Sequence, residues 1–255
     1  MMGNLASMSA QPGYDLRDIL LSHLRDVTGE VTSAFPLTGL DVDQVGILEH
    51  HFEATVHASE DDVEGVGWLH EPGVILEEPR AHGDDFTAVI ATATAVTIDL
   101  ERSMHLRDVL DCHSAWAAEF LPLALRSGEL NEAVLAPNRN ADGSRLLIVA
   151  AESIRLAPAW RHLGGVGRLL LGHAVRWFAV DCVVIAIRPA ADPDDWQGRL
   201  PDIGTVDGTA RHLAGTLGFA RVRDTGIYVL DPTTGELDYH IEDLEGRLLG
   251  RNAGV

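Results

Sequence analysis

The chain has 255 residues, 46% of them hydrophobic, so it is long enough to bury the core of one large domain or of two small ones. Its 39 acidic and 19 basic residues give a formal net charge of −20, and every basic residue is an arginine because the sequence contains no lysine. A field of that sign repels nucleic acids and anionic lipids and favours cationic small molecules or proteins as partners.

The cysteine content and the amino-terminal residues indicate in which cellular compartment the protein is expected. Only Cys112 and Cys182 are present, so no disulfide framework is expected and a reducing compartment is favoured. Residues 1–15 carry no cation and no apolar segment, and no later stretch reaches the roughly 18 apolar residues of a membrane span. We therefore expect a cytoplasmic protein that makes no membrane contact.

The first half of the chain predicts a helix, a group of strands and a second helix. Residues 1–13 are small and polar and are typical of a disordered lead-in, whereas apolar residues recur at helical spacing over 16–24. Residues 45–103 contain "FEATVHAS", "GVILEE" and "FTAVIATATAVTIDLE", which alternate with acidic or Gly/Pro turns and predict an antiparallel meander. Residues 105–125 predict a helix, followed by a connector over 126–144.

The second half predicts a parallel strand–helix–strand unit. Residues 145–156 begin with a continuous apolar run, which is typical of a strand covered on both faces. Apolar residues over 166–177 recur at helical spacing, and "CVVIAI" at 182–187 predicts a second buried strand. Two strands joined by a helix in this way form a parallel, right-handed crossover.

The remaining residues complete one predicted domain. Apolar spacing predicts a helix over 210–217 that ends at Gly218, and a last strand over 219–231. We predict a single α/β (α+β) domain over residues 14–231, with 232–255 as a tail that carries an accessory helix. The first helix and the tail helix could form the interface of a homodimer.

A glycine-rich turn joins the first buried strand to the helix that follows it. Gly164, Gly165 and Gly167 lead directly into the helix, whose N-terminus presents unpaired N–H groups and a partial positive charge. Glycines let a phosphate approach the backbone closely, and Arg161 and Arg168 add local cations. The turn therefore predicts an anion site, although many such turns are only connections.

Three kinds of phosphate loop can be compared at this turn. A nucleotide triphosphate loop requires Gly-Lys-Ser/Thr, which a chain without lysine lacks. The dinucleotide fingerprint requires a glycine where Leu170 stands and an acid at the end of the next strand, where Arg188 and Pro189 stand. The third is a pyrophosphate loop of the form Arg/Gln-x-x-Gly-x-Gly/Ala, which the loop matches irregularly in two registers. From Arg161 the first glycine is Gly164 but Val166 takes the last position, whereas from His162 both glycines fit but the basic residue is lost.

These residues resemble the GNAT superfamily of N-acetyltransferases. "LAPAWRHLGGVGRLLLGHAVRWF" is similar to that family's strand end, pyrophosphate loop and helix, and "ARHLAGTLGFARV" with "YVLD" is similar to its closing helix, turn and strand. The resemblance covers about residues 145–231. It implies a GNAT-like mixed central sheet with antiparallel N-terminal strands and a parallel unit flanked by helices. It also implies acetyl-CoA or another acyl-CoA as cofactor, bound by Leu156, Arg161, His162, Leu163, Gly164, Gly165, Val166, Gly167 and Arg168.

The implied reaction assigns roles to a few residues. A neutral amine attacks the thioester, a backbone N–H near Leu156 stabilises the developing oxyanion, and Glu152 is the first candidate for the base that accepts the proton. Glu152 could instead pair with a neighbouring arginine. Asp99 and Glu101, at the end of the preceding strand, are second candidates. The tyrosine that many relatives use to protonate the thiolate falls at Ala214.

Other residues that could carry chemistry have simpler interpretations. The twelve histidines form no metal-binding spacing, and His50 and His51 point to opposite sides of a strand, so no metal is expected. Cys112 is expected to be a buried structural thiol rather than a nucleophile. The insert at 190–207 contains Trp196, which could anchor a lid or pin the loop to the surface.

The sequence leaves two functions to weigh. The first is an acetyl-CoA-dependent N-acetyltransferase acting on an amine of a small molecule or peptide, with a cationic acceptor favoured by the net charge. The alternative is a catalytically silent GNAT-like module that binds acyl-CoA or a protein partner. Ala214 and the irregular loop favour this alternative. A nucleotide-dependent oxidoreductase is disfavoured by Leu170 and Arg188.

Overall fold

The structure, a computed structural model, has a mixed α/β architecture. It describes residues 15–34, 46–59, 67–82, 85–102, 105–131, 134, 143–161, 163–188, 216–223 and 225–250. The strands in these residues are β1 (Val27–Ala34), β2 (Ile47–Ser59), β3 (Arg80–His82), β4 (Asp85–Asp99), β5 (Arg145–Leu156), β6 (Cys182–Ile187), β7 (Ala220–Arg221) and β8 (Tyr228–Leu230). The longer helices are α1 (Leu16–His23), α2 (Leu106–His113), α3 (Val166–Phe178) and α4 (Glu236–Leu249). Short 3₁₀ helices are Leu24–Asp26, Gly67–His70, Ala117–Leu123, Pro158–Trp160 and Pro232–Thr234.

All of these strands belong to one mixed sheet. Its order is β1-β2-β4-β5-β6-β8-β7, with β3 pairing alongside β4. Neighbours are antiparallel except β5 and β6, which are parallel and joined through α3. The predicted class, with antiparallel strands first and a parallel strand–helix–strand unit later, is confirmed.

Helices cover both faces of the sheet, which gives three layers. One core lies between the sheet and α1, α3 and α4, and the other lies between the sheet and α2 with the 3₁₀ helix at 117–123. All six residues of β6 are buried, as the continuous apolar run predicts for a central parallel strand.

Helix α3 occupies the centre of the first layer. It packs on the sheet over β4 and along α4, which runs antiparallel to it. Gly172 permits the close crossing, since a Cβ there would lie 2.9 Å from Cγ1 of Ile241 in α4. Leu237, Ile241 and Leu244 of α4 are buried in the same core as α3.

One prediction for the strand region is wrong, and one strand was missed. "GVILEE" at 73–78 is not a strand: Gly73 adopts a turn with φ +81°, and the segment gives only one backbone bond to the sheet, from the Leu76 N–H to the Val89 carbonyl at 2.8 Å. Strand β1, in contrast, was not predicted. It is an edge strand whose residues are mostly exposed, so it lacks the apolar alternation that marks a half-buried strand.

The predicted helix over 105–125 is broken in two. Helix α2 ends at His113 because Ser114 is extended, with φ −166° and ψ 162°. The Ser114 hydroxyl then accepts a hydrogen bond of 3.2 Å from the Ala117 N–H, which starts the 3₁₀ helix. Serine favours such local capping over continuation of a helix.

Several predicted segments lie wholly or largely outside the described residues. These are the lead-in at 1–13, the insert with Trp196, and the predicted helix at 210–217 except its last two residues, which are helical. Gly218 ends that helix with φ +84°, as predicted. In the described part of the chain no helix is long and apolar enough to cross a membrane.

Candidate functional site

The turn between β5 and α3 is fixed to the body of the protein before it reaches the glycines. The Ala157 N–H bonds the Ile90 carbonyl at 2.8 Å, and the fully buried Trp160 donates its indole N–H to the Val74 carbonyl at 2.8 Å. Leu163 is also buried. The loop that follows therefore starts from a rigid base.

Gly164 and Gly165 both adopt positive φ, at +71° and +132°. Such angles are strained for residues with a Cβ, so glycine is the residue that fits here. Gly164 is exposed, and a Cβ there would meet only Cδ2 of Leu248 at 3.9 Å. The backbone at Gly164 is therefore open to solvent at the carboxyl end of β5.

The N-terminus of α3 lies directly behind this open loop. Gly165 is the N-cap residue, no side chain caps it, and the first turn contains no acidic residue. The N–H groups of a first turn lack intrahelical acceptors and carry the positive end of the helix dipole. No side chain among the described residues therefore caps this helix start.

Arginines flank the same helix end. Arg168 reaches back to the Gly164 carbonyl, with its Nη2 at 3.4 Å, and Arg161 donates its Nε to the Leu156 carbonyl at 3.0 Å. Burial, and then the charge of Arg247, lower the pKa of Arg168 from its ordinary value. Arg247 belongs to α4 and pairs with Asp243 at 2.7 Å.

Strands β5 and β6 pair over only part of their length. Arg145 to Val149 of β5 pair with Cys182 to Ile187 of β6, and β6 then ends. Strand β5 continues to Leu156 without a strand partner among the described residues on that side. The edge of β5 that leads to the glycine loop is therefore unpaired in the described structure.

The same part of β5 contains a large bulge in its pairing with β4. Thr94 of β4 faces Ala150 and Thr92 faces Arg155, so β4 advances by two residues while β5 advances by five. Residues 151–154 have no regular partners in the ladder. A bulge of this kind takes backbone groups out of the ladder and re-aims them.

The structure describes the side chains of some candidate bases but not of others. The backbone of Glu152 lies in the bulge, and its side chain is outside the described part, as are His162 and Ala214. Asp99 faces Arg145 and Ala91 faces Leu156. Eight residues of β4 separate Asp99 from Ala91, which corresponds to roughly 26 Å. The Asp99 carboxylate accepts from the N–H groups of Glu101 and Arg102 instead. Measured to the bulge, where Thr94 faces Ala150, Asp99 is five residues or roughly 16 Å away along β4. Asp99 and Glu101 therefore do not lie beside the residues that carry Glu152.

Two features of the site were missed from sequence. One is the bulge, whose only signal is the small and polar "AAES" inside an apolar strand. The other is the approach of α4, which brings Leu244 to within 3.0 Å of a Cβ built on Gly165 and Arg247 close to Arg168. The tail sequence alone indicates neither contact.

The two cysteines belong to α2 and β6, outside the glycine loop. Cys112 is exposed, contrary to the expectation of a buried thiol, while Cys182 is buried and its pKa is raised to about 12 by burial. Among the described residues no group of three His, Cys, Asp or Glu side chains is placed to hold a metal ion.

Comparison with known proteins adds no relative. No family model matches the chain, and no match was found among curated proteins or solved structures.

Proposed function

We propose that this chain is an acyl-CoA-dependent N-acyltransferase that transfers an acetyl group to an amine. The single observation that carries the proposal is the N-terminus of α3, which no described side chain caps. Its first turn contains no acidic residue, and two glycines of positive φ precede it at the carboxyl end of β5. The resemblance of this turn to the pyrophosphate loop of GNAT enzymes supports the same conclusion.

The residues present fit a diphosphate. A Cβ at Gly164 would have almost no neighbours, so there is room in front of the backbone for a phosphate group. The helix dipole and Arg168 supply positive charge, and hydrogen bonds from backbone N–H groups to a phosphate require no side chain. The loop thus offers local attraction for an anion in a chain whose net charge is −20.

The unpaired edge of β5 is the second part of the proposed site. Beyond Val149 this edge has no described strand partner, and it leads from the bulge to the glycine loop. A pantetheine arm lying along it would place the thioester beside residues 151–154. Backbone N–H groups released from the ladder by the bulge would then be available to the oxyanion.

Acetyl-CoA would supply a thioester whose carbonyl carbon bonds to the amine nitrogen while the carbon–sulfur bond breaks. Glu152, from its position in the bulge, is the proposed acceptor of the amine proton, directly or through water. The acceptor is proposed to be cationic before it loses that proton, in keeping with the net charge of −20.

Gly164 provides a test with a matched control. Asn and Asp both tolerate left-handed backbone and have nearly the same size, so Gly164→Asn measures the effect of a side chain and Gly164→Asp adds the effect of a negative charge. We expect Gly164→Asp to weaken acetyl-CoA binding at least about tenfold relative to Gly164→Asn, measured by calorimetric titration.

The same pair of variants separates lost binding from lost folding. A negative charge near a helix N-terminus stabilises the helix, so Gly164→Asp should unfold at no lower temperature than Gly164→Asn. Equal affinities for the two variants, or no binding by the wild-type chain at millimolar acetyl-CoA, would overturn the proposed site.

A second measurement separates the transferase from a silent binding module. Release of free thiol from acetyl-CoA is measured with panels of polyamines, aminoglycosides and peptide amines. Glu152→Gln should lower the rate by about 10²- to 10⁴-fold with little change in cofactor affinity. Cofactor binding without thiol release from any amine would instead identify a silent module.

A further inference from the structure

Ser153 stands in the β5 bulge, and its hydroxyl contacts backbone groups of both β4 and β5. Its hydroxyl oxygen accepts a hydrogen bond of 2.7 Å from the Thr94 N–H of β4. The same hydroxyl lies 2.7 Å from the Ala150 carbonyl and 3.3 Å from the Thr94 carbonyl, either of which can accept its proton. One side chain thus contacts both strands at the point where the ladder is interrupted.

These bonds compensate for the ladder bonds that the bulge removes. In a regular antiparallel pair the Thr94 N–H would donate to a backbone carbonyl of β5. Here the serine hydroxyl takes the place of that carbonyl, and its bond to Ala150 ties the start of the bulge to its third residue. On the other side, the Thr92 hydroxyl donates to the Ser153 carbonyl at 3.4 Å.

The described residues leave an opening between β5 and β6, and the bulge lies next to it. Pairing of these strands ends at Val149 and Ile187, and Ala150 is the last residue before the interrupted stretch. Residues 151 and 152, between Ala150 and Ser153, therefore have both of their flanks fixed by the serine hydroxyl. Without that hydroxyl the Thr94 N–H loses its acceptor, and the bond between Ser153 and Ala150 that spans residues 151 and 152 is lost as well.

We propose that Ser153 is a positioning residue for acyl transfer, whose hydroxyl holds the backbone of residues 151 and 152 in place beside the opening between β5 and β6. The inference rests on the proposed acyltransferase function. Ser153 does not react itself; it fixes the bulge that carries the oxyanion N–H and the proposed base. A small displacement of such groups lowers the rate of the reaction more than it lowers substrate affinity.

The test compares Ser153→Ala with Ser153→Thr, which retains a hydroxyl. We expect Ser153→Ala to lower kcat for thiol release by about 10- to 100-fold while KM for acetyl-CoA stays within about twofold, and Ser153→Thr to recover most of the loss. Hydrogen exchange of the Thr94 amide, followed by NMR, should become about tenfold faster in Ser153→Ala and stay near wild type in Ser153→Thr.

Ser114→Ala is the matched control, because it also removes a serine that accepts a backbone N–H, at Ala117, in the opposite layer. It should lower thermal stability without changing kcat. Wild-type kcat in Ser153→Ala, or a loss of kcat that matches the effect of Ser114→Ala, overturns the inference and leaves the acyltransferase function standing. A wild-type chain that binds acetyl-CoA but releases no thiol overturns both.

Discussion

Trp68 and Trp160 pack against each other in the core, with ring centroids 6.5 Å apart, but their indole N–H groups differ. The Trp160 N–H donates to the Val74 carbonyl, whereas the Trp68 N–H is buried with no hydrogen-bond partner in the described part of the chain. A buried donor without an acceptor lowers stability by about 1–3 kcal/mol. Replacing Trp68 by Phe removes this unpaired donor. The stability gained in this way should offset much of the stability lost through weaker packing.

We expect Trp68→Phe to change the free energy of unfolding by less than about 1 kcal/mol, and Trp160→Phe to lower it by about 2–3 kcal/mol because the Val74 carbonyl is left unpaired. Urea denaturation of both variants measures the difference. An equal loss in the two variants would show that packing, rather than the hydrogen bond, governs both sites.

Single residues are predictable from sequence where the backbone restricts the residue type. Gly164, Gly165 and Gly218 were expected at turns, and all three have positive φ, which other residues rarely adopt. Cys112 was predicted wrongly because residue type alone does not decide exposure. Its helix turns Leu106 and Leu110 to the core, and Cys112 lies roughly 200° around from Leu110.

At the scale of elements, the crossing of α3 and α4 depends on the absence of a side chain at Gly172. A Cβ there would lie 2.9 Å from Cγ1 of Ile241 and 3.3 Å from Cδ2 of Leu217. Overpacking of this kind lowers stability by about 1–3 kcal/mol, and the better helix propensity of alanine returns at most about 1 kcal/mol. We therefore expect Gly172→Ala to destabilise the protein by about 1 kcal/mol.

A double-mutant cycle isolates the contact itself. In Ile241→Ala the new methyl of Gly172→Ala fills part of the cavity, so the double variant should be at least about 1 kcal/mol more stable than the sum of the single changes predicts. Leu237→Ala, elsewhere on the buried face of α4, is the control and should combine additively with Gly172→Ala. If Gly172→Ala and Ile241→Ala also combine additively, α4 must shift away from α3 to accommodate the new methyl group.

Helices and strands were predicted correctly where their burial produces an apolar pattern in the sequence. The apolar runs of β5 and β6 and the helical spacing of α3 identified the parallel unit, since each of these elements is buried in one core or the other. Edge strand β1 carries no such mark. Ser114 broke the second helix through a local hydrogen bond that apolar spacing does not encode.

At the scale of the whole molecule, the order of elements restricted the topology more than any single motif did. A strand–helix–strand unit is parallel and right-handed, so β5, α3 and β6 could be arranged from sequence. The β5 bulge and the packing of α4 beside the glycine loop could not, because both depend on contacts between residues far apart in the chain. The glycines of the candidate site were thus predictable, and its supporting residues, such as Ser153 and Arg247, were not.

His50 joins several parts of the molecule. Its ring nitrogens lie 2.8 Å from the Ser33 hydroxyl of β1 and 2.7 Å from the Thr97 hydroxyl of β4, and its ring stacks on Phe178 of α3. Burial, and then the charge of Arg145, lower the pKa of His50 below the ordinary histidine value of 6.5. The folded protein therefore holds this histidine neutral at pH values at which the unfolded chain has begun to protonate it.

Because the unfolded state binds the proton more tightly, His50 contributes a stability term that is fully present above pH 6.5 and decreases as the pH falls through the folded-state pKa. We expect the free energy of unfolding to fall more steeply below pH 6.5 in the wild type than in His50→Gln, whose amide can still bond the hydroxyls but does not titrate. Urea denaturation at intervals from pH 7.5 to pH 5 measures the slopes. Equal slopes for wild type and His50→Gln would contradict the assignment.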